Sequence, residues 1–312
     1  RFTEDKEFLQ RMYHVLKEAS RFYVNWLVAH PETGKLVSGP SISPENSFIA
    51  PDGTRTAFSM GCAHDQQVIW QLFTDFLKAS DVLNISDSFT NRIEEARFQL
   101  ASGWNIGSDG RLLEWQDEFK ETNPGHGHIS HMYAVHPTAQ ITYEKTSELA
   151  KAAYQSMIFR YENNPGPERG GWPGAWFISQ FARHGDKERA STSLKGVLLN
   201  SLHPNLFTST PFQMDANFGT TAGIAELFIQ SHAGAIEILP CLPDEFKTGK
   251  VNGLMARGGF VVDIEWKDGN MTSVGLESKL GNSCKVKYLD KVITPKLQKG
   301  EVQYFQYNDF KN

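Results

Sequence analysis

The spacing of the hydrophobic residues divides the chain into two parts. Up to about His232 the apolar positions recur every three or four residues, which predicts amphipathic helices. Phe8, Met12, Val15 and Leu16 begin the first helix, which continues to about Leu27. Similar patterns predict further helices over residues 65–82, 88–102, 147–161, 172–184, 187–199 and 220–231.

After His232 the pattern changes to short segments in which apolar and polar residues alternate. This alternation predicts β-strands over residues 259–266, 271–276 and 284–288, separated by Asp-Gly and Gly-Asn turns. We therefore expect a mainly α-helical domain over residues 1–231 and a small antiparallel β domain over residues 232–312. Successive helix pairs of differing sequence suggest an α/α toroid, although no strict repeat is visible.

Three loops between the predicted helices are long and rich in aromatic and carboxylate side chains. They cover residues 38–61, 104–137 and 200–219. Helix pairs arranged in a ring would place such loops at one end, where they can form a pocket. Aromatic rings pack against the C–H faces of sugars, and glycosidic cleavage requires an acid for the leaving oxygen and a base for water. The loops therefore favour carbohydrate chemistry.

The first loop contains Glu45 in the sequence Ser43-Pro44-Glu45-Asn46. Prolines restrict the backbone here, and partial burial among apolar neighbours would favour the protonated form that a general acid needs. On this interpretation Glu45 is buried and faces the axis of the ring. The alternative is a helix cap, with Ser43 as N-cap and Pro44 as the first helical residue.

The third loop contains Asp215 and Asn217, shortly before the last predicted helix. We expect Phe212, Met214 and Phe218 to bury this segment, and a buried carboxylate needs a partner or a function. The alternative is again that the polar side chains cap the helix.

Four of the ten histidines, His126, His128, His131 and His136, lie within residues 124–137. Their spacing lacks the helical pair and acidic base of a zinc hydrolase, so we expect no metal. An extended segment would place His126 and His128 on the same side, where neutral imidazoles can bind sugar hydroxyls. His131 leads into an apolar segment and either packs inward or reaches the ligand. A core role for one or two of the histidines is the alternative.

Charge and composition limit the classes of partner. A net charge of -5 provides no basic surface for nucleic acid or for an anionic membrane. No apolar run approaches the roughly 20 residues that span a bilayer. The three cysteines are far apart, match no zinc spacing and predict no disulfide framework. The chain opens on Arg1, and we expect it to be processed or cut from a longer protein.

Several ordered segments match one family of enzymes: PSISPENSF (40–48), GRLLEW (110–115), GHGHISHMYAVHP (125–137), GWPGAW and ARHGD (171–186), NLF and PFQMDANFGTTAGIAELFIQSH (205–232), ILPCLPDEF (238–246) and GLMARGGFVVDIEW (253–266). In these segments the sequence resembles glycoside hydrolase family 95, the inverting α-L-fucosidases and α-L-galactosidases. The resemblance implies an (α/α)6 barrel, here incomplete at the N-terminus, followed by a small β domain.

The resemblance also implies roles for particular residues. Glu45 would be the general acid, and Asp215 would orient and activate the attacking water. No cofactor is implied. The residues expected to bind the substrate are His126, His128, His131, Asn46, Trp115 and Asn217.

Two departures and one missing motif bear on the activity. Gly127 and Gly174 stand where family members usually have arginine, which affects the expected specificity. The family has an asparagine motif that holds the water, and it is not found in this chain. We expect this asparagine motif in an N-terminal part of the same protein, and that part would be a partner of the present chain.

We therefore expect an exo-acting glycosidase that hydrolyses terminal α-L-fucosyl or α-L-galactosyl residues of glycans with inversion. Glu45 and the group on the water side would lie roughly 6.5–9.5 Å apart. By resemblance the protein would be secreted or periplasmic. Two alternatives stay open, a non-catalytic carbohydrate-binding remnant and a sugar phosphorylase on a similar barrel.

Overall fold

The computed structural model describes residues 1–164, 171–208 and 213–310 of the chain. Each predicted helix is confirmed within these ranges, and six of them agree with the prediction to within three residues at either end. None of the helices described is both long and apolar enough to cross a membrane. The helices are α1 (Lys6–Trp26), α2 (Ala63–Val82), α3 (Ser88–Gln99), α4 (Ser147–Asn163), α5 (Gly171–Arg183), α6 (Lys187–Asn200) and α7 (Met214–Phe228).

Helix α7 is the one whose start differs from the prediction. It begins at Met214 rather than near Gly219, with Gln213 as its N-cap. Asp215 therefore lies in the first turn of the helix, where a carboxylate is favoured by the positive end of the helix dipole. The polar residues that suggested a cap are inside the helix.

The chain forms two compact units, and the first is Asp5–Pro165. Its hydrophobic core contains Phe73 and Phe76 of α2 and Ile93 of α3. Tyr13 of α1 stacks on Phe76 with ring centroids 5.5 Å apart. The predicted apolar stripe of α1 is only partly buried, because Phe8, Met12 and Val15 are exposed.

Short strands shape the loops of this unit, and the sequence did not predict them because two residues are too few to show alternation. Strand β4 pairs with both β5 and β7, which attaches the 38–61 loop to residues 120–121. The strands are β1 (Val28–Ala29), β2 (Leu36–Val37), β3 (Ser41–Ile42), β4 (Phe48–Ile49), β5 (Arg55–Thr56), β6 (Phe58–Ser59) and β7 (Lys120–Glu121).

The second unit comprises Arg1–Glu4 and Gly166–Asn312. Within it α5 and α7 pack closely, because Gly223 of α7 faces Ile178 of α5. A Cβ atom added at Gly223 would lie 2.8 Å from Cβ of Ile178. Most of the apolar side chains of α5 are buried, among them Phe177 and Phe181.

The C-terminal part of this unit has strands, as predicted. On β11, Phe260, Val262, Ile264 and Trp266 all point into one core, which gives the alternation read from the sequence. The strands are β8 (Ile229–Gln230), β9 (Ile236–Ile238), β10 (Gly249–Ala256), β11 (Phe260–Lys267), β12 (Asn270–Ser278), β13 (Val286–Tyr288), β14 (Lys291–Ile293) and β15 (Val302–Phe305).

Two four-stranded sheets share this core, one in the order β10-β11-β12-β15 and the other in the order β14-β13-β9-β8. The expectation of a purely antiparallel domain was wrong at one pair, since β9 and β13 run parallel. Parallel neighbours need a long connection, and here β10 to β12 provide it.

Candidate active site

Residues Ser43 to Asn46 form a β-turn, in which the backbone N–H of Asn46 donates to the carbonyl oxygen of Ser43 at 3.0 Å. Glu45, the third residue of the turn, has a φ of 50°. Proline in the second position and a positive φ in the third are typical of a type II turn. The helix-cap interpretation is wrong, because no helix begins at this segment.

The side chain of Glu45 is 79% exposed, so the prediction that it is buried was also wrong. The apolar surroundings and the prolines instead bury residues on either side of it, including Ser43, Asn46 and Phe48. The exposed position leaves the carboxylate accessible to a ligand.

Two of the predicted histidines contact this turn. A ring nitrogen of His126 and one of His128 each donate to the carbonyl oxygen of Pro44, both at 3.3 Å. The ring centroids are 4.8 Å apart, which confirms that His126 and His128 share one side of their segment. Nε2 of His128 lies 3.8 Å from Oε2 of Glu45. Partial burial lowers the pKa of the His126 ring.

His131 lies in the interior, in the short helical turn Ser130–Met132. Its Nδ1 atom is 3.9 Å from Oε2 of Glu114. Burial, together with the positive charges of Arg160 and Arg111, holds the pKa of His131 well below its ordinary value, so the ring is neutral. Of the two interpretations of His131, inward packing is therefore the one that the structure supports.

Glu114 is a residue of this site that the sequence analysis did not select. It is 4% exposed, yet its carboxylate accepts hydrogen bonds from the Ser43 hydroxyl at 2.6 Å and the Asn46 amide at 3.0 Å. Arg160 donates to the same carboxylate. The signal in the sequence was a carboxylate between Leu113 and Trp115, since a charge in an apolar run requires partners when the run is buried.

Arg160 of α4 is the cation of this buried cluster and is 1% exposed. Besides Glu114 it lies 2.5 Å from Oε2 of Glu121, and Glu121 also accepts from Arg111 at 3.0 Å. Burial raises the pKa of Glu121, although the charge of Arg160 opposes this shift. The adjoining cavity, lined in part by these side chains and His131, has a volume of about 30 Å³. It has room for a water molecule or two but not for a sugar.

Asn46 and Trp115, both predicted to bind substrate, lie in the interior. The Asn46 amide is bonded to Glu114, and its oxygen accepts from the backbone N–H of Ser47 at 2.9 Å. The Trp115 ring packs on Phe48 with centroids 5.0 Å apart. The expectation of direct contact with a sugar does not suit buried side chains. Asn46 is instead held by Glu114, and Trp115 packs on Phe48, two residues after the turn.

Asp215 and Asn217 belong to the other compact unit. Asp215 is exposed in the first turn of α7, and so are Met214 and Phe218, which were expected to bury it. Phe212, the third residue of that expectation, lies outside the described residues. The Asn217 side chain donates to the carbonyl oxygen of Leu206 at 2.6 Å and closes the preceding loop. The predicted distance between Glu45 and the water-side group stays a prediction.

Across residues 1–164, 171–208 and 213–310 no group of three or more histidine, cysteine or acidic side chains is placed to hold a metal ion. The contacts of His126 and His128 described above are with the backbone of the turn and with Glu45. The chemistry of this cluster is that of a carboxylate with neighbouring imidazoles.

Comparisons with known proteins show which proteins the chain is similar to. The chain is 34% identical over 319 residues to alpha-L-fucosidase 2 of Arabidopsis thaliana, covering 97% of the chain and 37% of that protein. It is 29% identical to probable alpha-fucosidase A of Aspergillus niger, covering 82% of the chain and 34% of that protein. The chain thus spans about a third of the length of these curated relatives.

The chain is similar in fold to the solved structure of a presumed kojibiose phosphorylase from the human microbiome. The TM-score is 0.56 at 9% identity, over 98% of this chain and 44% of that one. At this identity the likeness concerns the fold alone. The glycosyl hydrolase family 95 catalytic domain matches residues 1–228, and the C-terminal domain of the same family matches residues 230–310. The chain therefore belongs to glycoside hydrolase family 95.

Proposed function

We propose that the protein containing this chain is an exo-acting glycosidase that removes terminal α-L-fucosyl residues from glycans with inversion. Terminal α-L-galactosyl residues are the second substrate class. The proposal rests on one observation above all: the matched catalytic domain presents the exposed Glu45 carboxylate on a fixed turn beside His128. The fucosidase names of the relatives support the same substrate.

In this proposal Glu45 donates a proton to the glycosidic oxygen as the bond to the sugar breaks. Asp215, with an asparagine from the N-terminal part of the protein, activates the water that attacks the anomeric carbon from the opposite face. Inversion requires roughly 6.5–9.5 Å between the two sides, so that the water fits between them. An (α/α)6 barrel, completed by that N-terminal part, is the fold that we propose for this arrangement.

The two histidines bind the sugar hydroxyls in this proposal. A carbonyl oxygen can only accept, so the nitrogen that faces Pro44 is protonated, Nε2 in His126 and Nδ1 in His128. In a neutral ring the other nitrogen then accepts a hydrogen bond. His128 would thus present its Nε2 to a hydroxyl group next to Glu45.

The test is turnover of the α-L-fucoside of a weakly acidic phenol by the full-length protein and by Glu45→Gln. We expect the substitution to abolish most of the turnover while fucose binding, measured by calorimetry, is kept. Asp52→Asn is the matched control, because Asp52 is an exposed carboxylate of the same loop without a role in the site. Proton NMR of the first product should show β-L-fucose. Equal turnover by Glu45→Gln would refute the proposal.

The alternatives give different results in the same assays. Fucose binding without turnover in the unmodified protein would indicate a carbohydrate-binding remnant. Turnover that requires inorganic phosphate and releases a sugar phosphate would indicate a phosphorylase, for which the fold likeness gives a reason to look. A higher kcat/KM on the aryl α-L-galactoside would change the substrate class. The partners that we propose are fucosylated glycans met outside the cytoplasm, which cell fractionation would test.

A further inference from the structure

We propose that Glu114 is a positioning residue for Glu45: its buried carboxylate holds both ends of the turn that presents the acid. This inference rests on the proposed function, because it assigns Glu114 a part in proton donation by Glu45. It concerns a residue that touches neither the sugar nor the reacting atoms in the proposed mechanism.

The geometry places one carboxylate beneath the whole turn. Oε1 of Glu114 accepts from the hydroxyl of Ser43, the first residue of the turn, at 2.6 Å. Oε2 accepts from the amide of Asn46, the fourth residue, at 3.0 Å. Both partners are buried. The two residues that carry the ends of the turn are therefore fixed to a single group, and Glu45 lies between them.

The backbone of Glu45 needs such support. Its φ of 50° is in the left-handed region, which is unfavourable for a residue other than glycine because Cβ approaches the following carbonyl oxygen. Backbone in that region persists only where the surroundings determine it, and it is often found at functional sites. Here the surroundings are the bonds of Glu114 on one side and the contacts of His126 and His128 with the Pro44 carbonyl on the other.

Arg160 fixes Glu114 in turn. It donates to the Glu114 carboxylate, and its Nη1 donates to the carbonyl oxygen of Asn123 at 2.9 Å. That same oxygen accepts from the backbone N–H of His126 at 3.0 Å. One buried guanidinium thus joins the support of the acid to the backbone of the histidine segment. Charge-assisted bonds of this kind are stronger and more directional than neutral ones.

The consequence for catalysis concerns the proton. A general acid must lie within hydrogen-bond reach of the leaving oxygen, and a displacement of about 1 Å can cost on the order of 100-fold in rate. The cost depends on the leaving group. A weakly acidic phenol needs the proton as the bond breaks, whereas fluoride leaves without one. Loss of positioning should therefore slow the first substrate and spare the second.

The experiment compares full-length Glu114→Gln with the unmodified enzyme on an α-L-fucoside of a weakly acidic phenol and on α-L-fucosyl fluoride. The glutamine keeps the shape of the side chain but replaces one accepting oxygen with an NH₂ group. Because Ser43, Asn46 and Arg160 all donate to Glu114, this NH₂ group would face another donor and a hydrogen bond would be lost. We expect kcat on the phenyl substrate to fall about 10- to 100-fold, with KM changed less than about twofold and turnover of the fluoride changed only a few-fold.

Glu121→Gln is the matched control. Glu121 contacts the same Arg160 and lies in the same buried cluster, and the substitution removes the same charge. Its contacts with Arg160 and Arg111 lie outside the turn. It should leave the ratio of the two activities unchanged. Ser43→Ala removes one of the two bonds and should shift the ratio in the same direction by a smaller factor. It also serves if Glu114→Gln does not fold.

The ratio of the two activities separates the outcomes. An unchanged ratio in Glu114→Gln and Ser43→Ala, whether or not both activities fall, would show that Glu114 has only a structural role and would overturn this inference. If the unmodified enzyme hydrolyses neither substrate, the proposed function fails and this inference fails with it. A shifted ratio in both variants, with Glu121→Gln unchanged, supports the assignment.

Discussion

Nε2 of His128 lies 3.8 Å from Oε2 of Glu45, while Nδ1 of the same ring donates to the backbone carbonyl of Pro44 at 3.3 Å. The imidazole is thus fixed by the turn that presents the carboxylate, and its other nitrogen is directed to the same region as the acid. A sugar hydroxyl that meets this nitrogen would be held close to Glu45.

His128→Ala should weaken sugar binding in the full-length protein and leave the fold in place. Loss of one hydrogen bond of about 0.5–1.5 kcal/mol corresponds to a rise of roughly two- to tenfold in the dissociation constant of fucose. Calorimetry measures the binding, and thermal unfolding checks the fold. His14→Ala is the control, since His14 is exposed on α1 and bonds to the carbonyl oxygen of Arg11, one turn earlier in the same helix. Unaltered affinity would remove His128 from the binding site.

Arg160→Met should strongly destabilise the protein. Removing the guanidinium leaves the buried Glu114 without its cation, and Glu121 loses the nearer of its two arginine partners. Breaking a buried ion pair in this way costs about 3–5 kcal/mol of the free energy of unfolding. Lys151→Met on the same helix is the comparison, because its pair with Glu148 is exposed to solvent and should contribute little to stability. Urea unfolding of both variants measures the difference. Similar stabilities would contradict the importance given to the buried cluster.

Stability should fall with acidity partly through His184. Burial lowers its pKa to about 4, against an ordinary value of 6.5. Between pH 4 and pH 6.5 the unfolded chain therefore binds a proton at His184 that the folded chain does not bind. The free energy of unfolding rises with pH across this window, and the contribution of His184 is fully present above about pH 6.5.

Unfolding free energies of the unmodified protein and His184→Gln between pH 7 and pH 5 test this expectation. In the variant the unfolding free energy should change less steeply with pH in that window, by up to about 1.4 kcal/mol per pH unit. His14→Gln, which alters an exposed ring, should keep the dependence of the unmodified protein. Parallel curves for all three proteins would exclude His184 as a source of acid sensitivity.

Gly223→Ala should destabilise the packing of α5 on α7. The new methyl group would lie 2.8 Å from side-chain atoms of Ile178, so the helices would have to move, at a cost of about 1–3 kcal/mol. A methyl group added by Gly219→Ala on the same helix would lie 3.2 Å from Cβ of Ala175, and the better helix propensity of alanine offsets part of that close contact. The melting temperature should therefore fall clearly more for Gly223→Ala. The reverse order would show that the helices separate easily.

The periods of the hydrophobic pattern determined the secondary structure of this protein to a large extent. Three- and four-residue spacing predicted α1 to α6 closely, and alternation predicted β11 and β12, because each pattern follows from the geometry of one local element. The nearness of His126 and His128 was also predicted from their spacing, although the segment bends at Gly127 instead of being extended.

The tertiary structure alone decided which carboxylate is buried. From the sequence Glu45 was expected inside and Glu114 was not selected, whereas the fold exposes Glu45 and encloses Glu114. The partners of Glu114 are Ser43, Asn46 and Arg160, which lie 71, 68 and 46 positions away along the chain. Burial and hydrogen bonding depend on such distant contacts, and no local pattern of residue types encodes them.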